Sequence, residues 1–265
     1  MTDHHDIIIH VENLTVSYEG AVIIEHVAFD VYRGEVLAIL GGSGSGKSTI
    51  LKQIIGLERP GSGRILIEGR DMVTAQGEDR LDILRKIGVM YQSGALFGSM
   101  TLLENVSLPM TEWTDLPQEA VHLIARMKLK LVGLDGFEDH LPAEISGGMR
   151  KRAAIARAMA LDPKILFLDE LSAGLDPVTS AELDQLVLSL SRNLGITFVI
   201  ITHELPSIFA VANRAIMLDK HTKGIIAMGS PQELRDHSED PWVHRFFHRE
   251  PGLETSTTTG SPPGQ

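Results

Sequence analysis

Gly41-Gly42-Ser43-Gly44-Ser45-Gly46-Lys47-Ser48 fits the pattern G-x-x-x-x-G-K-[ST]. It follows Val36-Leu37-Ala38-Ile39-Leu40, an apolar run that predicts a buried strand. It precedes Thr49–Ile55, which predicts a helix closed by Gly56. Strand, glycine loop and helix in that order are the setting in which the pattern cradles phosphates. Glycines at 41, 42, 44 and 46 let backbone N–H groups curl around an anion, because no Cβ obstructs positive φ. The helix N-terminus adds partial positive charge. Lys47 can reach the β- and γ-phosphates, and the Ser48 hydroxyl can ligate Mg²⁺. The stretch Gly41–Thr49 therefore implies a bound nucleoside triphosphate.

A second segment supplies what a triphosphate site needs. Ile165-Leu166-Phe167-Leu168-Asp169-Glu170 is four apolar residues ending in two acids. A buried parallel strand that ends in Asp delivers its carboxylate to the sheet's carboxyl edge, where ligands of open α/β sheets sit. Asp169 is expected in the Mg²⁺ shell. Glu170, one residue on, is expected to orient or deprotonate the attacking water.

A third segment, Ile145-Ser146-Gly147-Gly148-Met149, precedes a helix that begins Arg150-Lys151-Arg152. Serine and two glycines at a helix start form another anion-binding device; by themselves they are equally a simple N-cap. One chain does not need two phosphate cradles for one nucleotide. Two chains facing head to tail do.

Around these segments the chain alternates strands and helices. Antiparallel strands are expected over Ile7–Tyr18 and Val22–Tyr32, joined near Glu19-Gly20. Short strands are expected at Arg64–Glu68 and Ile87–Tyr91, with a helical piece at Leu81–Lys86 between them. From Leu102 to Leu134 the pattern turns helical, with Leu123, Ile124, Met127 and Leu131 at helical spacing and Pro109 and Pro117 as breaks. This insertion ends near Pro142. A helix over Met149–Ala160, a strand over Ile165–Leu168, a helix over Thr179–Leu194 stopped at Gly195, and strands over Thr197–Thr202 and Arg214–Leu218 complete the reading. The fold class is α/β, with a mostly parallel sheet covered on both faces. Residues 251–265, ending Ser-Pro-Pro-Gly-Gln, have no core-forming pattern and read as a disordered tail.

Composition narrows the function classes. The 265 residues are 43% hydrophobic, enough for a sizeable core. There is no cysteine, which removes disulfide and thiolate chemistry. A formal net charge of −11 and an aromatic content of 5% argue against nucleic acid as a partner. Apolar runs such as Phe198-Val199-Ile200-Ile201 fall far short of the roughly 18 residues a spanning helix needs. Met1-Thr2-Asp3-His4-His5-Asp6 lacks the features of a secretory signal, so a soluble protein is expected, reaching any membrane through a partner.

With these segments in order, the chain resembles the ATP-binding subunits of ABC transporters from about Ile7 to Arg249. The resemblance implies a P-loop core with an antiparallel β subdomain at its start and a helical subdomain over about 93–160, within an ATPase domain spanning 7–250. It implies that Tyr18 stacks on adenine and that Gln92 joins the Mg²⁺ and water site to a membrane partner. Ser146-Gly147-Gly148 matches the signature motif, which contacts the γ-phosphate held by the opposite subunit. Asp169 and Glu170 match Walker B and its catalytic glutamate, Asp176 the D-loop, and His203 the switch histidine. The implied cofactors are ATP and Mg²⁺, the latter held by Ser48, Gln92 and Asp169. The implied assembly is a homodimer, peripheral to the cytoplasmic face of the inner membrane through an integral-membrane permease. Ile145, Met149 and Leu171 depart from the usual Leu, Gln and Pro. Met149 lacks a side-chain amide, so nucleotide contacts there do not carry over.

Two segments are more specific. Gln92-Ser93-Gly94-Ala95-Leu96-Phe97 and Ser146-Gly147-Gly148-Met149-Arg150-Lys151-Arg152 are similar to the ATPases of Mla-type phospholipid transporters. That resemblance implies an MCE-type lipid-binding protein and a STAS-domain protein as further partners. In ABC systems the face after Gln92 receives the permease, and an exposed Leu96-Phe97 pair would suit such docking; core packing is the alternative. Other readings are an importer subunit for another small solute, a non-transport ABC ATPase and a regulatory nucleotide-binding module. Glu170 and His203 speak against the last.

Overall fold

The computed structural model describes residues 6–250; the expected tail at 251–265 lies outside them. In chain order the strands are β1 (Ile7–Tyr18), β2 (Ala21–Tyr32), β3 (Val36–Gly41), β4 (Ser62–Ile67), β5 (Arg70–Asp71), β6 (Ile87–Met90), β7 (Ile165–Asp169), β8 (Thr197–Ile201), β9 (Arg214–Asp219) and β10 (Gly224–Gly229). The helices are α1 (Lys47–Ile54), α2 (Gly77–Leu84), α3 (Leu102–Trp113), α4 (Gln118–Leu131), α5 (Gly147–Ala158), α6 (Pro177–Leu194), α7 (Leu205–Val211), α8 (Pro231–His237) and α9 (Pro241–His248).

One sheet runs β2-β1-β4-β5 and is antiparallel. The other runs β10-β9-β3-β8-β7-β6; it is parallel except at its β10 edge. Every residue of β3 is buried, as a strand covered on both faces requires. One core fills the space between the sheets, where Ile50, Leu51 and Ile54 of α1 meet Val11 and Val27 on one side and Ile39 and Phe167 on the other. A second lies on the opposite face of the parallel sheet, under α3 to α6. A third packs α7, α8 and α9 against Ala38, Leu40 and Met217.

Several local expectations change. The helix after Ser146 starts at Gly147, not Met149, because the Ser146 side chain accepts the Met149 N–H at 3.2 Å and caps it. The first helix starts at Lys47, two residues before Thr49. Pro109 does not break a helix; it lies inside α3, where burial of Leu102, Val106 and Met110 outweighs a cost of about 3 kcal/mol for an interior proline. Pro117 does mark a boundary, at the N-cap of α4. In α4 the buried face is Val121, Ala125, Lys128 and Leu129, while Leu123, Met127 and Leu131 are exposed. The Leu96-Phe97 pair is split: Leu96 packs against the second core and Phe97 is exposed, with the Arg157 guanidinium 5.1 Å from its ring centre. Strand β10 and helices α7, α8 and α9 were not foreseen.

Candidate functional site

The parallel register sets up the site. Ile39 of β3 pairs with Ile201 of β8, and Asp169 of β7 also pairs with Ile201. The carboxyl ends of β3, β8 and β7 are therefore level, and the loops that follow them share one edge of the sheet. Those loops carry Gly41–Ser48, Thr202–His203 and Glu170. Strand β6, beside β7, brings Gln92 to the same edge.

Glu170 is the strained residue of this edge. Its φ is 50°, a left-handed conformation uncommon for a residue with a Cβ and costing about 1–3 kcal/mol. Its N–H still donates to the Ile201 carbonyl at 2.9 Å, so the ladder persists while the side chain turns across the strand ends. There Glu170 Oε1 lies 2.9 Å from His203 Nδ1. A carboxylate only accepts, so Nδ1 carries the hydrogen and Nε2 is left for another partner. Glu170 Oε2 is buried and has no hydrogen-bond partner among the described residues.

Lys47 folds onto its own loop, donating to the Gly41 and Gly42 carbonyls at 2.9 and 2.8 Å. Burial pushes its ammonium down from the usual lysine range, while the charges of Glu170 and Asp169 push it back up. Asp169 shows the complementary effect: burial and then the Glu170 charge raise its carboxyl, and Lys47 and Lys151 oppose them. The edge thus holds two half-buried acids facing a half-buried cation, Lys47, and a buried one, Lys151.

Lys151 is the cation that sequence reasoning missed. It is buried on α5 and donates to the Gln92 carbonyl at 2.6 Å and the Glu170 carbonyl at 3.3 Å. The sequence reading takes Arg150-Lys151-Arg152 only as the start of a helix. Its spacing was the available signal: it lies three and four residues before Ala154 and Ile155, on the helix face that faces inward.

Tyr18, Ile23 and residues 44–49 line one cleft. The Tyr18 hydroxyl donates to the Glu58 carboxylate, which also accepts from Lys52 at 3.1 Å and Gln53 at 3.2 Å. The tyrosine is 40% exposed at the lip, leaving its ring open to a planar group. Gly46 at φ 95° lets Ile24 pack against the loop where a Cβ would collide with its side chain.

Ser146, Gly147 and Gly148 are not brought to this cleft. Ser146 caps α5, and the two glycines press against the start of α6: a methyl on Gly147 would lie 3.1 Å from Leu175 Cδ2, and one on Gly148 would collide with Thr179. Asp176 caps α6, accepting the N–H groups of Val178 and Thr179, both at 3.0 Å, and the Thr179 hydroxyl at 2.6 Å. Gln92 is exposed. Among the described residues the only hydrogen bond shown for it is through its backbone carbonyl, to Lys151.

A family model described as "ABC transporter" matches residues 24–173. The chain is 42% identical over 241 residues to "Probable ribonucleotide transport ATP-binding protein mkl" of Mycobacterium leprae, covering 91% of this chain and 68% of that one. It is 40% identical over 227 residues to "Intermembrane phospholipid transport system ATP-binding protein MlaF" of Escherichia coli, covering 85% of this chain and 82% of the relative. The chain thus spans about two thirds of the mycobacterial relative and most of the enterobacterial one. Among solved structures it resembles the dimeric post-hydrolysis state of the ATP-binding cassette MJ0796 bound to ADP and Pi. That match has a TM-score of 0.76 at 30% identity, over 84% of this chain and 98% of the other.

Proposed function

The chain belongs to the ABC transporter family, and from that premise we propose that it is the ATP-hydrolysing subunit of a phospholipid transporter, working as a homodimer beneath a separate permease. The observation that carries the catalytic part is the Glu170 carboxylate. One oxygen is held by His203 and the other is buried without a donor, on a residue whose left-handed turn aims it across the strand ends. Such an oxygen is fit to take the proton of an attacking water.

The roles follow from position. Gly41–Thr49 cradles the triphosphate through backbone N–H groups, with Lys47 exchanging its carbonyl partners for phosphate oxygens. Tyr18 offers its ring to the base. Glu170 orients and deprotonates the water, and His203 fixes the rotamer of Glu170. Ser146, Gly147 and Gly148 stand apart from the cleft of their own chain, which supports their serving the nucleotide of a second copy. Asp176, at the start of α6 beside them, supports the same seam. ATP then acts as a ligand with greater affinity for the closed pair than for the open one.

Ser48, Asp169 and Gln92 are hard oxygen donors of the kind Mg²⁺ takes with few protein ligands. The buried Glu170 oxygen that accepts no hydrogen bond among the described residues, one residue from Asp169, fits a divalent cation at this edge. When bound, the ion neutralises charge on the β- and γ-phosphate oxygens.

The phospholipid cargo is supported by MlaF, whose length this chain largely spans, and by the similarity of segments 92–97 and 146–152 to Mla-type ATPases. In that reading the permease docks near Phe97, with an MCE-type protein and a STAS-domain protein completing the assembly at the cytoplasmic face of the inner membrane. Among the described residues no helix is long and apolar enough to cross a membrane. The name of the mycobacterial relative favours a second reading, a ribonucleotide as cargo. Purification with the native membrane subunits separates the two. Recovery of an MCE-type protein, and ATPase stimulation by phospholipid, are expected; stimulation by ribonucleotide alone contradicts the lipid reading. For the site, Lys47→Ala is expected to abolish ATP binding in a titration while leaving the thermal midpoint within a few degrees, since among the described residues the hydrogen bonds of its side chain go to its own loop.

A further inference from the structure

Helix α9 is fixed at its start by Asp240, whose Oδ1 accepts the Trp242 and Val243 N–H groups at 2.7 and 3.1 Å. That cap sets the rotation of the helix. Val243 and Phe247 then fall into the third core, with Ala38 and Leu40 of the strand that feeds the phosphate loop. Trp242 falls on the loop itself: a methyl group on Gly42 would lie 3.1 Å from its Cζ2 and 3.9 Å from its Cη2. The Gly42 carbonyl is one of the two that hold Lys47. At the other end of α9, Phe247 meets Phe209 with ring centres 5.8 Å apart. Phe209 lies on α7, which begins two residues after His203. One short helix therefore touches the backbone of the phosphate loop at one end and the helix behind the switch histidine at the other.

We infer that Trp242 is a positioning residue for the phosphate loop, setting nucleotide affinity by holding the Gly42 peptide from behind. The inference rests on the reading of Gly41–Thr49 as a triphosphate cradle. The physical reason is that a glycine-rich loop pays conformational entropy to order around an anion. A rigid indole against its second residue removes part of that cost beforehand. Gly42 is free of positive φ, so a side chain there would press on the indole rather than strain the backbone.

The chain has two tryptophans, and Trp113 is exposed at the end of α3. In full-length Trp113→Phe protein, indole emission reports Trp242 alone. Titration with Mg-ATP is expected to shift that emission with the half-saturation measured independently with radiolabelled ATP. Trp242→Ala is expected to weaken ATP binding about fivefold or more while changing kcat less than twofold, and Trp242→Phe to restore affinity. Gly42→Ala is expected to weaken binding and Gly42→Ala/Trp242→Leu to recover part of it, because the shorter side chain relieves the crowding but no longer supplies the indole. Bound ATP with silent emission, or a Gly42→Ala defect untouched by shortening Trp242, overturns the inference while leaving the cradle intact. Failure of the same protein to bind labelled ATP at all overturns the cradle reading, and the inference with it. If Trp242→Ala does not fold, the emission titration decides.

Discussion

His203 Nδ1 lies 2.9 Å from Glu170 Oε1, bridging the carboxyl ends of two paired parallel strands. Neither residue reaches this position by local preference. Glu170 arrives by a left-handed turn straight after β7, and His203 by the end of β8 one strand over. The pair leaves the second Glu170 oxygen buried and unpartnered.

Glu170→Gln keeps the shape and the acceptor of the His203 bond but removes the proposed base. Turnover is expected to fall by about 10²-fold or more, the usual scale of general-base catalysis, with ATP affinity unchanged. His203→Ala is expected to lower kcat with a smaller change in affinity, since it frees the Glu170 rotamer without touching the phosphate loop. Steady-state phosphate release together with an ATP titration checks both. Wild-type turnover in Glu170→Gln would remove Glu170 from the mechanism.

Lys151 ties the segment bearing Gln92 to the acid strand through two carbonyls. A charged hydrogen bond of this kind is worth about 1.5–3 kcal/mol. Lys151→Met is therefore expected to lower kcat by roughly one to two orders of magnitude with a modest effect on KM, and Lys151→Arg to recover part of it. The comparison of kcat and KM across the three proteins is the check; equal kcat values would reduce Lys151 to packing.

Glu68, just beyond β4, is the hub of a charge cluster outside the site. Its carboxylate lies 2.6 Å from Lys164, 2.8 Å from Lys86 and 3.2 Å from Arg33. Burial alone would raise this carboxyl; the bonds from Lys164, Lys86 and Arg33 outweigh it and hold the group at about 2. Because the folded value is below the unfolded one, the stabilisation is present above about pH 4.5 and is lost as pH falls toward 2. Wild type is expected to exceed Glu68→Gln in urea midpoint at pH 7, with the gap closing between pH 4.5 and pH 2. A gap independent of pH would contradict the charge account.

The strand–loop–helix unit around Gly41–Ser48 was legible because its constraints are local: glycines in the turns, an apolar strand before it, a helix after it. Asp169 and Glu170 were legible as a strand ending in acids. Their meeting with His203 depends on the register that pairs Asp169 with Ile201, which no single segment encodes. Lys151 was hidden because a charge in a basic run reads as solvated unless its helix face is counted. The apolar spacing of Leu123, Met127 and Leu131 signalled a helix correctly but marks its outward side, since the inward side is filled by Val121, Ala125, Leu129 and the stem of Lys128. The closing helices were missed although Ser230 and Glu233 form a reciprocal cap and Asp240-Pro241 opens another helix.

On the proposed function, two copies complete each other's nucleotide site. Sedimentation of Glu170→Gln with saturating Mg-ATP, in the presence of its permease, tests it most directly. A two-copy assembly that dissociates when ATP is withdrawn, and that does not form when Ser146→Arg is added, is the predicted result. A single protomer at saturating Mg-ATP contradicts the account.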